Sequence, residues 1–268
     1  MTDTTVAPTA IEAAADRLLA ATRTGIPTSP VRDLIGRDDV AAAYAVQERI
    51  TSARLAEGAA IVGRKIGLTS KAIQEQVGVD QPDFGVLFDD MAYGDGDVLP
   101  AESILQPRAE AEIAFVLRDD LAEGELDYAQ VSAAIDYAVA AIEICGSRIA
   151  GWDISFGDTV ADNASSGAYV LGNVRKSLDE VVPREVVMSM TIDGAEVSTG
   201  NGAACLGDPI EAVVWLARKA RELGQPLRAG QVILSGALGP MRPIAAGNVV
   251  QVSIEPLGTV GFSVSKES

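Results

Sequence analysis

The sequence predicts an α+β protein: a small N-terminal helical region, residues 1–60, packed on one larger mixed domain, residues 61–268, whose core is β-sheet. Three observations lead there. Apolar residues recur at helical spacing through the first 55 residues, and short apolar runs separated by turn residues fill the chain from Glu185 onward. No repeat, low-complexity tract or long Pro/Gly/Ser linker divides the rest.

Residues 1–8 read as a tail. Thr9 with Glu12 forms a capping-box pattern, and Ile11, Ala14, Ala15, Leu18 and Leu19 fall on one helical face that Gly25 and Ile26-Pro27 end. A second helix is expected from about Asp39 to Leu55, closed by Gly58. Nothing in this arm carries chemistry. The stretch AAIVGRKIGLTSKAIQEQVGV then reads as a short strand, a turn, and a helix from Thr69 or Ser70 to Gly78. In DQPDFGVLFDDM, Asp83 lies between Pro82 and Phe84-Gly85, a turn context. Within Gln106 to Leu117 the polar first half leads into an apolar run that reads as the central buried strand, and Asp127 with Gln130 caps a helix leading toward Glu143. Asp158 to Gly167 is a polar, loop-like segment of the kind that carries binding residues, ending in a strand from Ala168 to Leu171. Further strands are expected at Val186–Ile192, Val197–Thr199, Gln231–Ser235, Val249–Glu255 and Thr259–Val264, with one helix from Pro209 to Leu223 among them.

Composition excludes several classes. With 48% hydrophobic residues and a formal charge of −17, the chain reads as a soluble acidic protein, and it has no basic block for nucleic acid. No apolar run approaches the roughly 20 residues needed to span a membrane, and the N-terminus lacks a signal-peptide pattern. Cys145 and Cys205 have no CxxC spacing, so a reduced, cytoplasmic setting is expected. The chain contains no His, which rules out His-based metal sites and catalytic triads.

The chemistry concentrates in QPRAEAEIAFVL. Glu110 and Glu112 stand two apart on a strand and so point the same way, where like charges at the end of an apolar run repel and lose hydration. A solvated edge strand would explain that pair as well. A third carboxylate, Glu143, sits in the apolar run VAAIEICGS, where a Glu is seldom buried without a partner. Three carboxylates without imidazole favour a hard ion, Mg2+ or Mn2+, over zinc. Lys65, in an apolar and Gly-rich segment, either faces an anionic ligand or snorkels to solvent.

Six stretches in order, GRKIGLTSKAIQ, QPDFGVLFDDM, QPRAEAEIAFVL, AIEICGSRI, DTVADNASSG and AGQVILSGAL, resemble the 2-keto-4-pentenoate (2-hydroxypentadienoate) hydratases, which belong with the 4-oxalocrotonate decarboxylases in the fumarylacetoacetate hydrolase superfamily. The resemblance covers residues 40–265 or so. It implies a fumarylacetoacetate-hydrolase-like mixed β-sheet roll, a bound Mg2+ or Mn2+ held by Glu110, Glu112 and Glu143, and Lys65 and Asp83 as the catalytic pair. It also implies substrate contacts from Ser165 and Leu68, a small 2-oxo or 2-hydroxy dienoic acid as substrate, and a homo-oligomer, a pentamer or decamer, with a pathway enzyme as a further partner. The activity implied is hydration of 2-hydroxypenta-2,4-dienoate in the meta-cleavage catabolism of aromatic compounds. The alternatives are a 4-oxalocrotonate-type decarboxylase and a non-catalytic partner subunit of one. The stretch SGALGPMRP departs from the GSL-type continuation of the hydratases, which bears on the substrate's tail. An acylpyruvate hydrolase is disfavoured, because such enzymes of this superfamily usually employ a His.

Overall fold

Helix α1 spans Pro8–Thr24 in the computed structural model, which describes residues 6–70, Gln74 and 79–266. Pro8 stands at its first position, and Ala7 precedes it without a side-chain cap, so the expected Thr9–Glu12 capping box is not the start signal. Proline's fixed φ suits the first helical turn, which draws the start back and leaves Thr9 inside the helix. Gly25, left-handed, ends it as its sequence position suggests. A short helix α2 (Arg32–Ile35), unforeseen in the sequence, leads to α3 (Val40–Ala56), whose Asp39 cap accepts from Ala42 N.

Strands β1 (Ile61–Gly67) and β2 (Asp83–Phe88) pair antiparallel. The helix expected between them lies largely outside the described residues. Asp83 is not in a turn but begins β2, opposite Gly67, and is buried. Then follow β3 (Ala92–Gly94), β4 (Val98–Leu99), β5 (Arg108–Leu117), α4 (Tyr128–Ala134) and β6 (Ile135–Cys145). The segment expected to be a polar loop holds α5 (Phe156–Ala161) and a 3-10 turn (Asn163–Ser165) before β7 (Ser166–Leu171). Its polar residues are buried because each has a partner. Asp158, for example, accepts from Val31 N, Arg32 N, Arg32 Nη1, Ser155 N and Ser155 Oγ at 2.8–2.9 Å. The remaining elements are β8 (Val187–Ile192), β9 (Ala195–Asn201), α6 (Pro209–Glu222), β10 (Val232–Ala237), β11 (Arg242–Pro243), β12 (Val249–Glu255) and β13 (Gly258–Val264). Thus β9 runs past both ends of the expected Val197–Thr199.

The strands form two sheets. The larger has the order β2-β1-β10-β5-β6-β7-β3, with β11 joined to the start of β5; the smaller has the order β4-β13-β12-β8-β9. The β5–β6 pair lies at the centre of the larger sheet, so the edge-strand account of Glu110 and Glu112 does not hold. Along β5, Ala111, Ile113 and Phe115 enter the main core with Val250, Val252 and Phe262 of the smaller sheet and Val213 and Leu216 of α6. Ala14, Leu18, Val46 and Phe84 belong to the same core, which therefore runs continuously from the N-terminal helices into the sheet. The opposite face carries Leu87, Ala114, Val139, Ala141, Tyr169 and Leu234 as a second, smaller cluster. By strand alternation Glu110 and Glu112 share that second face with Ala114, and Glu143 shares it with Val139 and Ala141. No described helix is long and apolar enough to cross a membrane.

Candidate active site

The strand register brings the carboxylates together. Glu110 pairs directly with Glu143 across β5 and β6, and Glu112 follows two residues along the same face. All three are buried, Glu112 and Glu143 completely. Glu112 Oε2 accepts from Gly236 N at 2.7 Å, while among the described residues Glu112 Oε1 and Glu143 Oε2 have no partner and Glu143 Oε1 has only the Lys65 ammonium. Cys145, two residues beyond Glu143 on β6, donates its thiol to Glu110 Oε1 at 3.4 Å. Ligand atoms of Glu110, Glu143 and Cys145 lie within 4.8 Å of one another.

Lys65 reaches this cluster from β1. Its Nζ is 3.1 Å from Glu143 Oε1 and donates to Ala164 O at 3.1 Å. Burial works against the ammonium, but the acidic groups around it, Glu143 foremost, outweigh it and hold the Lys65 pKa well above the ordinary lysine value. Lys65 therefore points inward and does not snorkel. Burial raises Glu112 well above the usual carboxylate range, with Glu143 and Glu110 adding repulsion. Burial likewise lifts Glu143 to about 7, against the pull of Lys65. Three acidic side chains against one ammonium in a dry site, with oxygens of Glu112 and Glu143 left unpaired among the described residues, form a donor set that a hard divalent cation fits.

Asp83 stands across from Lys65. Its pKa is raised by burial in spite of Lys65, its Oδ2 accepts from Thr159 Oγ1 at 3.4 Å, and its Oδ1 has no partner among the described residues. Thr159 Oγ1 is also 3.4 Å from Ser165 Oγ, linking Asp83 to the 3-10 turn. Gly67 explains the glycine in GRKIGLTS: a methyl group there would lie 2.2 Å from Asp83 Oδ1 and 3.4 Å from Lys65 Nζ. From the N-terminal arm, Gln47 of α3 donates to Phe84 O at 2.9 Å and to Val160 O at 3.0 Å, tying β2 to α5.

These groups open on a cavity of about 120 Å³ lined by Lys65, Leu68, Asp83, Glu110 and Ser165, all of them expected from the sequence. Thr159, Cys145, Trp152, Ile154 and Met241 also line it and were not expected. Trp152 is placed by Gln106: Gln106 Nε2 donates to Ser147 O and Ile149 O, Gln106 Oε1 accepts from Gly151 N, and Gln106 O accepts from Trp152 Nε1 at 3.1 Å. Glu112 and Glu143 lie behind the cavity wall.

The fumarylacetoacetate (FAA) hydrolase C-terminal family model matches residues 57–265. The chain is 54% identical over 257 residues to the TodF product hydratase of Pseudomonas putida, covering 96% of each chain. It is 51% identical to the 2-keto-4-pentenoate hydratase of Paraburkholderia xenovorans, over 93% of each. Among solved structures, the 4-oxalocrotonate decarboxylase from Pseudomonas putida G7, complexed with magnesium and adipate, superposes with a TM-score of 0.93 at 33% identity, covering 97% of this chain and 99% of that one. With its mixed sheets, its carboxylate cluster and this likeness along nearly its whole length, the chain belongs to the fumarylacetoacetate hydrolase family, where it groups with the 2-keto-4-pentenoate hydratases.

Proposed function

We propose that this protein is a hydro-lyase that adds water to 2-hydroxypenta-2,4-dienoate by way of 2-oxopent-3-enoate, giving 4-hydroxy-2-oxopentanoate in the meta-cleavage catabolism of aromatic compounds. Glu110, Glu112 and Glu143 would hold Mg2+ or Mn2+, with Lys65 and Asp83 catalytic and Ser165 and Leu68 in contact with substrate. When bound, the ion supplies Lewis acidity toward the carboxylate and C2 oxygen of a 2-oxo acid.

The protein's own residues supply the rest. In the first step the C2 hydroxyl loses its proton and C5 gains one, which conjugates the remaining double bond to a carbonyl and makes C4 electrophilic. In the second, hydroxide character is delivered to C4 and a proton to C3. Lys65 is the one cation among the described residues lining the cavity, and it stabilises the negative charge that develops on the C2 oxygen in both steps. Asp83, with Oδ1 free and its pKa raised, accepts and returns the proton of the attacking water. Thr159, itself 3.4 Å from Ser165 Oγ, holds Asp83 by its other oxygen.

One observation favours the hydratase over the decarboxylase. A 2-oxo-3-enedioate carries a second carboxylate, and beyond Lys65 the described lining offers it no cation; Trp152, Ile154 and Met241 suit an uncharged tail. Met241 lies in the stretch that departs from the hydratase pattern, so the difference falls at the tail. The presence of the whole carboxylate and lysine set speaks against a non-catalytic subunit. The deciding experiment supplies fresh 2-hydroxypenta-2,4-dienoate with Mg2+ or Mn2+ and identifies the product by mass. Release of CO2 from 2-oxohex-3-enedioate without hydration of the dienol establishes the decarboxylase instead. We also propose a homo-oligomer, a pentamer or decamer, supported by the exposed Val98, Val182, Val187 and Val249 and tested by light scattering.

A further inference from the structure

Asn163 does not line the active-site cavity, yet its side chain binds both backbone groups of one β2 residue, Val86. Asn163 Oδ1 accepts from Val86 N at 2.7 Å and Asn163 Nδ2 donates to Val86 O at 2.9 Å, so the amide pairs with β2 as a neighbouring strand would. The approach is close: a methyl group at Gly85 would lie 2.3 Å from Asn163 O and 2.5 Å from Ser166 Oγ. This anchors the start of three consecutive left-handed residues, Asn163, Ala164 and Ser165, with φ of 54°, 49° and 55°. Asn tolerates that region; Ala and Ser occupy it only where surrounding contacts enforce it.

The consequence of the enforced turn is the direction of Ala164 O. It points to Lys65 Nζ at 3.1 Å and, among the described residues, is the ammonium's one hydrogen-bond acceptor apart from the Glu143 contact. Without it Lys65 would be free to settle wholly against the carboxylates. The far end of the anchor is set by Arg148, which binds both the Asp162 carboxylate and Ser166 O on either side of the turn.

We propose that Asn163 is a positioning residue for Lys65: by clamping the Val86 peptide it holds the 163–165 turn so that Ala164 O keeps the ammonium facing the cavity. This rests on the proposed function for what Lys65 does, though not for where Lys65 is held.

The test is a double-mutant cycle. Asn163→Gly keeps the left-handed backbone accessible while removing the clamp, and it is expected to lower kcat for ketonisation of the dienol at least tenfold. In a Lys65→Ala background the same change should cost less than threefold, because the group it positions is gone; a merely structural role would cost the full factor in both backgrounds. A crystal structure of Asn163→Gly reads the geometry without any substrate: Lys65 Nζ should leave Ala164 O and keep Glu143. Retention of the Ala164 contact, or equal losses in both backgrounds, overturns the proposal. If Asn163→Gly does not fold, Asn163→Asp, which retains the acceptor for Val86 N, takes its place in both measurements. Should wild type fail to act on the dienol while the ammonium moves as expected, the functional reading falls and the positioning role stands.

Discussion

Glu110 and Glu143 sit directly opposite each other in the β5–β6 pairing, two carboxylates facing across the middle of the larger sheet. Like charges so placed weaken a sheet, and with Glu112 on the same face the arrangement is costly unless cation charge is added.

Divalent metal is therefore expected to stabilise the fold. At about a hundred times its Kd, Mn2+ or Mg2+ should add about 2.7 kcal/mol, seen as a rise in Tm that EDTA reverses. Glu112→Gln keeps an acceptor for Gly236 N and removes one charge. It should leave the metal-free Tm unchanged or higher and weaken Mn2+ binding by about tenfold or more, the loss that even an outer partner of a metal ligand can cause. Unfolding of this variant with normal Mn2+ binding would make the carboxylate structural.

Gly67→Ala tests the closeness of Asp83 and Lys65 to the backbone. The added methyl meets Asp83 Oδ1 at 2.2 Å, so the carboxylate must move by about an ångström. A misplacement of that size costs about 100-fold in rate. Because the strand itself is compatible with Ala, kcat should fall far more than Tm. Wild-type kinetics for Gly67→Ala would mean that the position of Asp83 is unimportant.

Asp158 was legible only as a polar residue in an apparent loop. With five donors on a fully buried carboxylate, it joins α2 to α5 and so backs the turn behind Lys65. Asp158→Ala leaves the buried Val31 N and Ser155 N without their acceptor, which should cost about 1–3 kcal/mol for each orphaned donor. Chemical denaturation measures it. A change under 1 kcal/mol would show that the α2 connection is dispensable.

That case illustrates what the sequence could and could not carry. Strand periodicity alone put Glu110 and Glu112 on one face, because alternation is local and survives any tertiary arrangement. The direct opposition of Glu143 depends on register, which no local pattern encodes. Asp83 looked like a turn residue because Pro and Gly flank it, yet the pairing of Gly67 with Asp83 makes it the first residue of a strand. The Asp158–Gly167 segment looked solvated for a related reason: its polar residues are matched by partners far away in the chain, Val31 and Arg32 for Asp158, Val86 for Asn163 and Arg148 for Asp162. Thr159, Trp152 and Met241 reach the cavity by the same long-range route and carry no signal of their own.

In the proposed mechanism the sharpest division of labour lies between Asp83 and Lys65. Ketonisation needs charge stabilisation at the C2 oxygen and a proton delivered to carbon, whereas hydration also needs a base for water. Asp83→Asn is nearly isosteric and can still be held by Thr159, but it cannot accept the proton of water. It should therefore abolish formation of the 4-hydroxy product while deuterium from solvent still enters C5. Lys65→Ala should harm both steps, because the ammonium acts in every transition state that places charge on that oxygen. It should also leave Glu143 without its 3.1 Å partner, so its metal affinity and Tm must be measured alongside. NMR of deuterium at C5 and C3, run with product formation, separates the two residues. If Asp83→Asn hydrates at the wild-type rate, the base for water is another group, and the free Oδ1 of Asp83 serves only to balance the charge of Lys65.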